Sequence, residues 1–273
     1  MGRARTVFFL SDRTGLTAET LGQSLLAQFD DLQYTPVSIP FIQTREAAED
    51  VVRLIDQAAT QDGLKPIVFC TLVDDAIVDL LEASAGVMVD LFGTFVGPLE
   101  QALEQRSLHR AGRSHSVANS RHYHARIEAM NFAMDNDDGT AQDYASADVI
   151  LIGVSRSGKT PTCLYLALQF GLRAANYPLV EEDLQAKTLP EALRPHRRKL
   201  YGLTIDADRL VHIRQTRRPD STYASPAQCR WELDAALRLM REEGIRHIDS
   251  TSRSIEEIAA TILHETGVRR RFF

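Results

Sequence analysis

A two-domain α/β fold built on parallel sheets is what this sequence predicts, on three observations. Short apolar runs alternate with helix-length amphipathic stretches through the first hundred residues, the pattern of βα units packed around a sheet. The same rhythm resumes at Asp148, after a polar and basic interval. The second series opens on a glycine-rich loop lying between a continuous apolar run and a helix start, the arrangement of a sheet whose strands are buried on both faces.

Taken in order, Thr6 to Leu10 reads as a strand, Ser11 to Leu16 as a loop and Thr17 to Phe29 as a helix. Val37 to Ile42 is the next strand. Arg45 to Thr60 is a helix, because Val51, Val52, Ile55 and Ala59 recur at helical spacing on one face. Ile67 to Val73 is a third strand, Asp74 to Ala85 a helix, Val87 to Phe92 an extended segment and Pro98 to Arg106 a further helix. These residues, 1–106, form the expected N-terminal α/β domain. From 107 to 145 the composition shifts: His109, His115, His122 and His124 are half of the eight histidines, and Arg110, Arg113, Arg121 and Arg126 lie among them. A basic connector is expected here, ending in a helix over Tyr123 to Met134 that Asn136-Asp137-Asp138-Gly139 stops.

The second domain is expected over 146–273. Asp148 to Val154 is its first strand, and Leu200 to Ile205 and Ile245 to Ile248 are later ones. Its helix signals are explicit. Ser225-Pro226-Ala227-Gln228 combines a capping Ser, Pro at the first helical position and Gln three after the cap, and Ser254-Ile255-Glu256-Glu257 is a second capping box. Gly244 and Gly267 close the two helices.

Composition excludes several classes of function. At 273 residues, with 44% hydrophobic and 25% charged side chains, the chain has ample material for a core and none of the bias of a disordered or fibrous protein. Acidic residues outnumber basic ones, 37 to 31, for a net charge of −6. That balance argues against general capture of nucleic-acid phosphates. Cys70, Cys163 and Cys229 are isolated, so neither a disulfide framework nor a four-ligand zinc site assembles from them. No apolar run approaches the roughly 18 residues of a membrane span, and no apolar leader opens the chain, so a cytoplasmic protein without membrane partners is expected.

Gly153-Val154-Ser155-Arg156-Ser157-Gly158-Lys159-Thr160 satisfies G-x-x-x-x-G-K-[ST] at every fixed position. A strand feeds it and a helix beginning near Pro161 follows it, so backbone N–H groups and the positive helix end converge on one anion. Lys159 would neutralise the terminal phosphates and Thr160 would hold Mg²⁺ through its hydroxyl. The expected second domain is therefore a P-loop kinase-like domain with a mostly parallel sheet. Arg156 is a further cation in the loop, either a charge clamp on the transferred phosphoryl group or an ordinary solvent-facing side chain. Such a site needs a carboxylate at a neighbouring strand end. Asp206 is the preferred metal or base candidate and Asp249 the second, although either residue also suits a turn or helix cap. Arg209, Arg214, Arg217 and Arg218 follow Asp206 as a phosphate-binding or partner-binding cluster, or as a solvated helix face. Ser11 to Glu19 repeats the strand–glycine loop–helix pattern without the lysine, which fits a second anion site or a plain βα turn.

The sequence resembles the family of bacterial phosphoenolpyruvate synthase regulatory proteins, relatives of the plant pyruvate, phosphate dikinase regulatory protein. The resemblance rests on Gly153 to Thr160 continued through Pro161-Thr162 and Leu164-Tyr165-Leu166-Ala167, and on Gly171 to Pro178. It rests also on Gly202 to Asp206 with Arg209-Leu210, on Ser11 to Glu19 and on Tyr123 to Ile127, so it covers nearly the whole chain. It implies a bifunctional enzyme. One activity takes the β-phosphoryl group of ADP, releases AMP and modifies a threonine of phosphoenolpyruvate synthase. The other removes that group with inorganic phosphate and makes pyrophosphate. Within that chemistry Asp206 is a candidate to accept and return the threonine proton. Two other readings remain open: a small-molecule kinase of the nucleotide-kinase type, with Arg194 to Arg198 as a lid, and a non-catalytic nucleotide sensor. The surface leaves room for a homodimer.

Overall fold

The computed structural model describes residues 4–108, 120–137, 143–219 and 221–269. Contacts divide the chain into two compact units between Ser116 and Val117. The first contains β1 (Arg5–Leu10), α1 (Leu16–Leu26), β2 (Tyr34–Ile39), α2 (Arg45–Asp62), β3 (Ile67–Cys70), α3 (Asp75–Glu82), β4 (Val87–Asp90) and α4 (Leu91–Leu103). Its four strands are all parallel, in the order β2-β1-β3-β4. Because side chains alternate along a strand, Phe8 and Leu10 of β1 pack into a cluster with Val51 and Ile55 of α2, while Val7 and Phe9 pack on the other face with Ala18 and Leu26 of α1. α2 starts where Thr44 Oγ1 accepts from Ala47 N and ends at Gly63 in the left-handed conformation.

The second unit contains α5 (Ser120–Asp135), β5 (Val149–Gly153), α6 (Lys159–Phe170), β6 (Ala174–Pro178), α7 (Glu181–Ala186), β7 (Leu200–Thr204), α8 (Ala207–Arg217), α9 (Pro226–Glu242), β8 (His247–Asp249) and α10 (Ile255–Thr266). Its sheet repeats the same parallel order, β6-β5-β7-β8. Every residue of β5 and β7 is buried, which explains their continuous apolar character. Ile150 and Ile152 face a core with Leu210, Leu233 and Leu239, and Val149 and Leu151 face one with Leu166, Ile258 and Ile262.

The α/β class and the parallel sheets agree with the sequence expectation, and four details differ. β2 begins at Tyr34 and carries Pro36; at a sheet edge the missing N–H costs no ladder bond on its outer side. α4 begins at Leu91, where Asp90 Oδ1 accepts from Gly93 N at 2.9 Å, and Pro98 lies inside it rather than opening it. β6 is an edge strand of Ala-Ala-Asn-Tyr-Pro, a composition with little strand preference. Finally, α5 belongs to the second unit: Ala129 and Ala133 are buried in the core shared with α6 and α10. His109, Arg110, Arg113 and His115 of the expected connector lie outside the described residues.

Candidate functional site

The glycine-rich loop closes the C-terminal end of β5 and passes directly into α6. Gly153 is held at φ 155°, and a Cβ there would stand 2.3 Å from the backbone oxygen of Leu203, so this position accepts no side chain. Gly158 caps α6 at φ 94°, a left-handed conformation that turns the following N–H groups towards the loop. Lys159 is buried, and its Nζ donates to Val154 O at 2.8 Å, which folds the ammonium over the loop. Ser157 Oγ is buried and has no hydrogen-bond partner among the described residues, so its donor is one that a phosphate oxygen would satisfy. The loop is braced from the neighbouring strands, since Ser250 Oγ donates to Ser157 O at 3.0 Å and to Thr204 O at 2.9 Å. A cavity of about 270 Å³ opens over it, lined by Ser155, Arg156, Gly158, Lys159, Thr160, Pro161 and Asn176.

A carboxylate does meet this loop, and it comes from the end of α5. Thr160 Oγ1 donates to Asp137 Oδ1 at 2.9 Å. Asn176 of β6 donates through Nδ2 to the same oxygen at 2.5 Å and to Thr160 Oγ1 at 3.1 Å, and its backbone N donates to Asn136 O at 3.0 Å. Thus α5, α6 and β6 converge on one polar cluster. The sequence marked Asp137 only as part of a helix stop; its partner lies 23 residues away, a separation that local pattern does not reveal.

Asp206 takes the helix-cap role that the sequence left open beside the metal or base role. Its Oδ1 accepts from Arg209 N at 3.0 Å and caps α8, its backbone N donates to Thr251 Oγ1 at 2.7 Å, and it does not line the cavity. Asp249 Oδ1 accepts from Thr251 N at 2.8 Å and from the Thr251 hydroxyl, and it is also outside the lining. Both carboxylates are engaged in local turn and cap geometry, as Asp after a strand commonly is.

The arginines after Asp206 divide by role. Arg214 is fully buried: its guanidinium pairs with Glu232 at 2.6 Å, donates to Ser155 O at 3.1 Å and to Tyr223 O at 3.0 Å, and lies 4.1 Å over the Tyr223 ring. It pins the loop backbone from behind. Arg217 and Arg218 are exposed and line a second cavity with Ser155, Arg156 and Tyr223. In the stretch that the alternative nucleotide-kinase reading offered as a lid, Arg194 Nε donates to Leu189 O, and Arg197 binds the backbone and carboxylate of Glu243.

The donor set tests the groups the motif calls for. Thr160 Oγ1 and the Asp137 carboxylate are hard oxygen donors, few in number, which suits Mg²⁺ completed by phosphates and water. Among the described residues, no group of three or more His, Cys, Asp and Glu side chains forms a metal cluster. Burial raises the thiol of each cysteine, Cys70 to about 12, so the protonated form of all three is favoured. No helix among the described residues is long and apolar enough to cross a membrane.

The family model described as Kinase/pyrophosphorylase matches residues 7–263. A protein of Pseudomonas fluorescens is 54% identical over 269 residues, covering 98% of this chain and 99% of the relative, and is named "Putative phosphoenolpyruvate synthase regulatory protein". One of Pseudomonas aeruginosa with the same name is 54% identical over 273 residues, covering all of both chains. The chain belongs to the kinase/pyrophosphorylase family.

Proposed function

We propose that this protein reversibly phosphorylates a threonine of phosphoenolpyruvate synthase, with ADP as donor in one direction and inorganic phosphate as acceptor in the other. The observation that carries the reading is the convergence of Lys159, Thr160 and Asp137 at one phosphate-binding loop. The target is taken from the names of the full-length relatives.

In the forward direction the β-phosphoryl group of ADP lies against the loop N–H groups, with Lys159 and Arg156 offsetting its charge. The threonine oxygen attacks phosphorus, the bond from phosphorus to the α,β-bridging oxygen breaks, and AMP leaves with that oxygen. Asp137 accepts the threonine proton. In reverse, an oxygen of hydrogen phosphate attacks the phosphothreonine phosphorus. The bond to the threonine oxygen breaks, pyrophosphate forms, and the proton carried by the phosphate passes to the threonine oxygen through Asp137. Mg²⁺, held by Thr160 with help from Asp137, would supply charge neutralisation at the phosphates. Phosphoryl transfer is mostly positioning and charge stabilisation, so a single cradle serves both directions.

The test is to incubate the protein with purified synthase and ADP labelled at the β-phosphate. Label on a synthase threonine, with AMP released, supports the reading. No transfer from ADP, with ATP-dependent turnover of a metabolite instead, overturns it in favour of a small-molecule kinase. Nucleotide binding with no transfer at all would leave a sensor.

A further inference from the structure

Beside the phosphate loop lies a second cavity, of about 240 Å³, lined by Ser155, Arg156, Arg217, Arg218 and Tyr223. It shares Ser155 and Arg156 with the loop cavity, so the two adjoin. Three arginines line this small volume, and none of them forms an ion pair with a described residue. Arg214, one turn earlier on α8, is by contrast neutralised by Glu232. Like charges gathered without a counter-charge repel one another, and an anion among them removes that repulsion.

The walls are held before any ligand arrives. Ser155 Oγ and Tyr223 Oη are hydrogen-bonded at 2.9 Å, and Arg214 binds the backbone oxygens of both residues. Arg156 sits at φ 74°, a left-handed conformation unusual for a residue with a side chain. Strain of that kind persists where the surroundings fix it, and it marks functional loops.

We infer that this arginine-lined chamber is a second phosphate subsite, holding the phosphate that is not transferred while the glycine loop holds the one that is. The inference rests on the proposed function, which needs two phosphorus centres side by side in both directions. Its ligand chemistry is a phosphate oxyanion from one of two sources: the α-phosphate of the nucleotide, or free inorganic phosphate. Guanidinium groups suit either, since they bind phosphate oxygens in a bidentate fork and remain charged throughout the working pH range.

Pyrophosphate is the discriminating probe, because its two phosphates span both chambers. Calorimetric titration of the full chain should find pyrophosphate bound more tightly than orthophosphate. In the Arg217→Gln/Arg218→Gln variant pyrophosphate, which occupies both chambers, should weaken by about tenfold or more, while orthophosphate, whose tighter site is the loop and which reaches the chamber only as a weaker second site, keeps its main affinity within about twofold. Arg217→Lys/Arg218→Lys should recover part of the loss, and thermal melts of both variants exclude a folding defect. ADP resolves the source. If it weakens alongside pyrophosphate, the chamber takes the α-phosphate as well as free phosphate; if ADP is unchanged, the chamber serves free phosphate, and both results uphold the subsite. Pyrophosphate binding that survives the Gln change overturns it, as does an unchanged pyrophosphate affinity accompanied by lost phosphorylation of the synthase, which would make the arginines a docking surface for the target. Orthophosphate affinity unchanged in Lys159→Ala overturns the loop assignment alone, whereas a fall to the weaker affinity of the chamber upholds it, so the two failures are distinguishable.

Discussion

At the scale of single residues, the lysine and the carboxylate separate binding from chemistry. Lys159 is buried and folded over the loop, so Lys159→Ala removes a charge that, on the proposed function, both directions need. Kinase and phosphate-dependent activities should fall together, each by about 100-fold or more; dephosphorylation that persists would require a separate site. Asp137 and Asp206 make opposite predictions. Asp137→Asn keeps a hydrogen-bonding side chain beside Thr160 but removes the proton acceptor, so kcat should drop by about 100-fold with the ADP dissociation constant within about threefold. Loss of ADP and Mg²⁺ binding along with the rate would instead make Asp137 chiefly a metal ligand. Asp206→Asn leaves a helix cap as good as the original, and transfer rates should stay within about twofold. The loop itself was legible in the sequence because its chemistry is written in eight consecutive residues. Asp137 was not, because its meaning depends on α5 docking against α6 and β6.

At the scale of elements, what the sequence disclosed tracks how local the cause is. The Ser254 capping box forms as its spacing predicts: Ser254 Oγ accepts from Glu257 N at 3.2 Å, and Glu257 Oε2 accepts from Ser254 N at 2.8 Å. The similar signal at Ser225 forms only by half, since Gln228 Nε2 turns to Glu232 at 3.1 Å. That carboxylate is already fixed by Arg214 and offers a stronger, charged acceptor. β6 and the first turns of α4 were hidden for the opposite reason. Pairing with β5 sets the first, and Asp90 after β4 sets the second, against weak local preference. Ser254→Ala tests a local cause in isolation. Its cap is exposed, so the change should cost about 1 kcal/mol, seen as a fall of about 2–4 °C in Tm by calorimetry. ADP affinity should not move; a shift in affinity would mean that α10 transmits its stability to the loop.

At the scale of the whole molecule, the chain contains the same parallel strand order twice, and each unit carries a glycine-capped loop after its first strand. Gly15 caps α1 at φ 81° and Gly158 caps α6 at φ 94°. The residue after each glycine sets them apart: Leu16 is 63% exposed and uncharged, whereas Lys159 is 4% exposed and cationic. On the proposed function, the shared backbone device serves as a phosphate cradle where a buried lysine, a carboxylate and arginines with no ion pair among the described residues accompany it. All of these, Asp137, Lys159, Thr160, Asn176, Arg217 and Arg218, fall within the unit that begins at Val117. The net charge of −6 thus coexists with a local excess of positive charge in one unit. It follows that residues 117–273 alone should bind ADP. Their sheet has its own core on both faces, so the fragment should melt cooperatively by circular dichroism and bind ADP within about threefold of the full chain, a difference of about 0.7 kcal/mol. A fragment that folds yet loses more than about tenfold in ADP affinity would place a ligand-binding group in the first unit, and the Ser11 to Glu19 loop would be the first place to look for it.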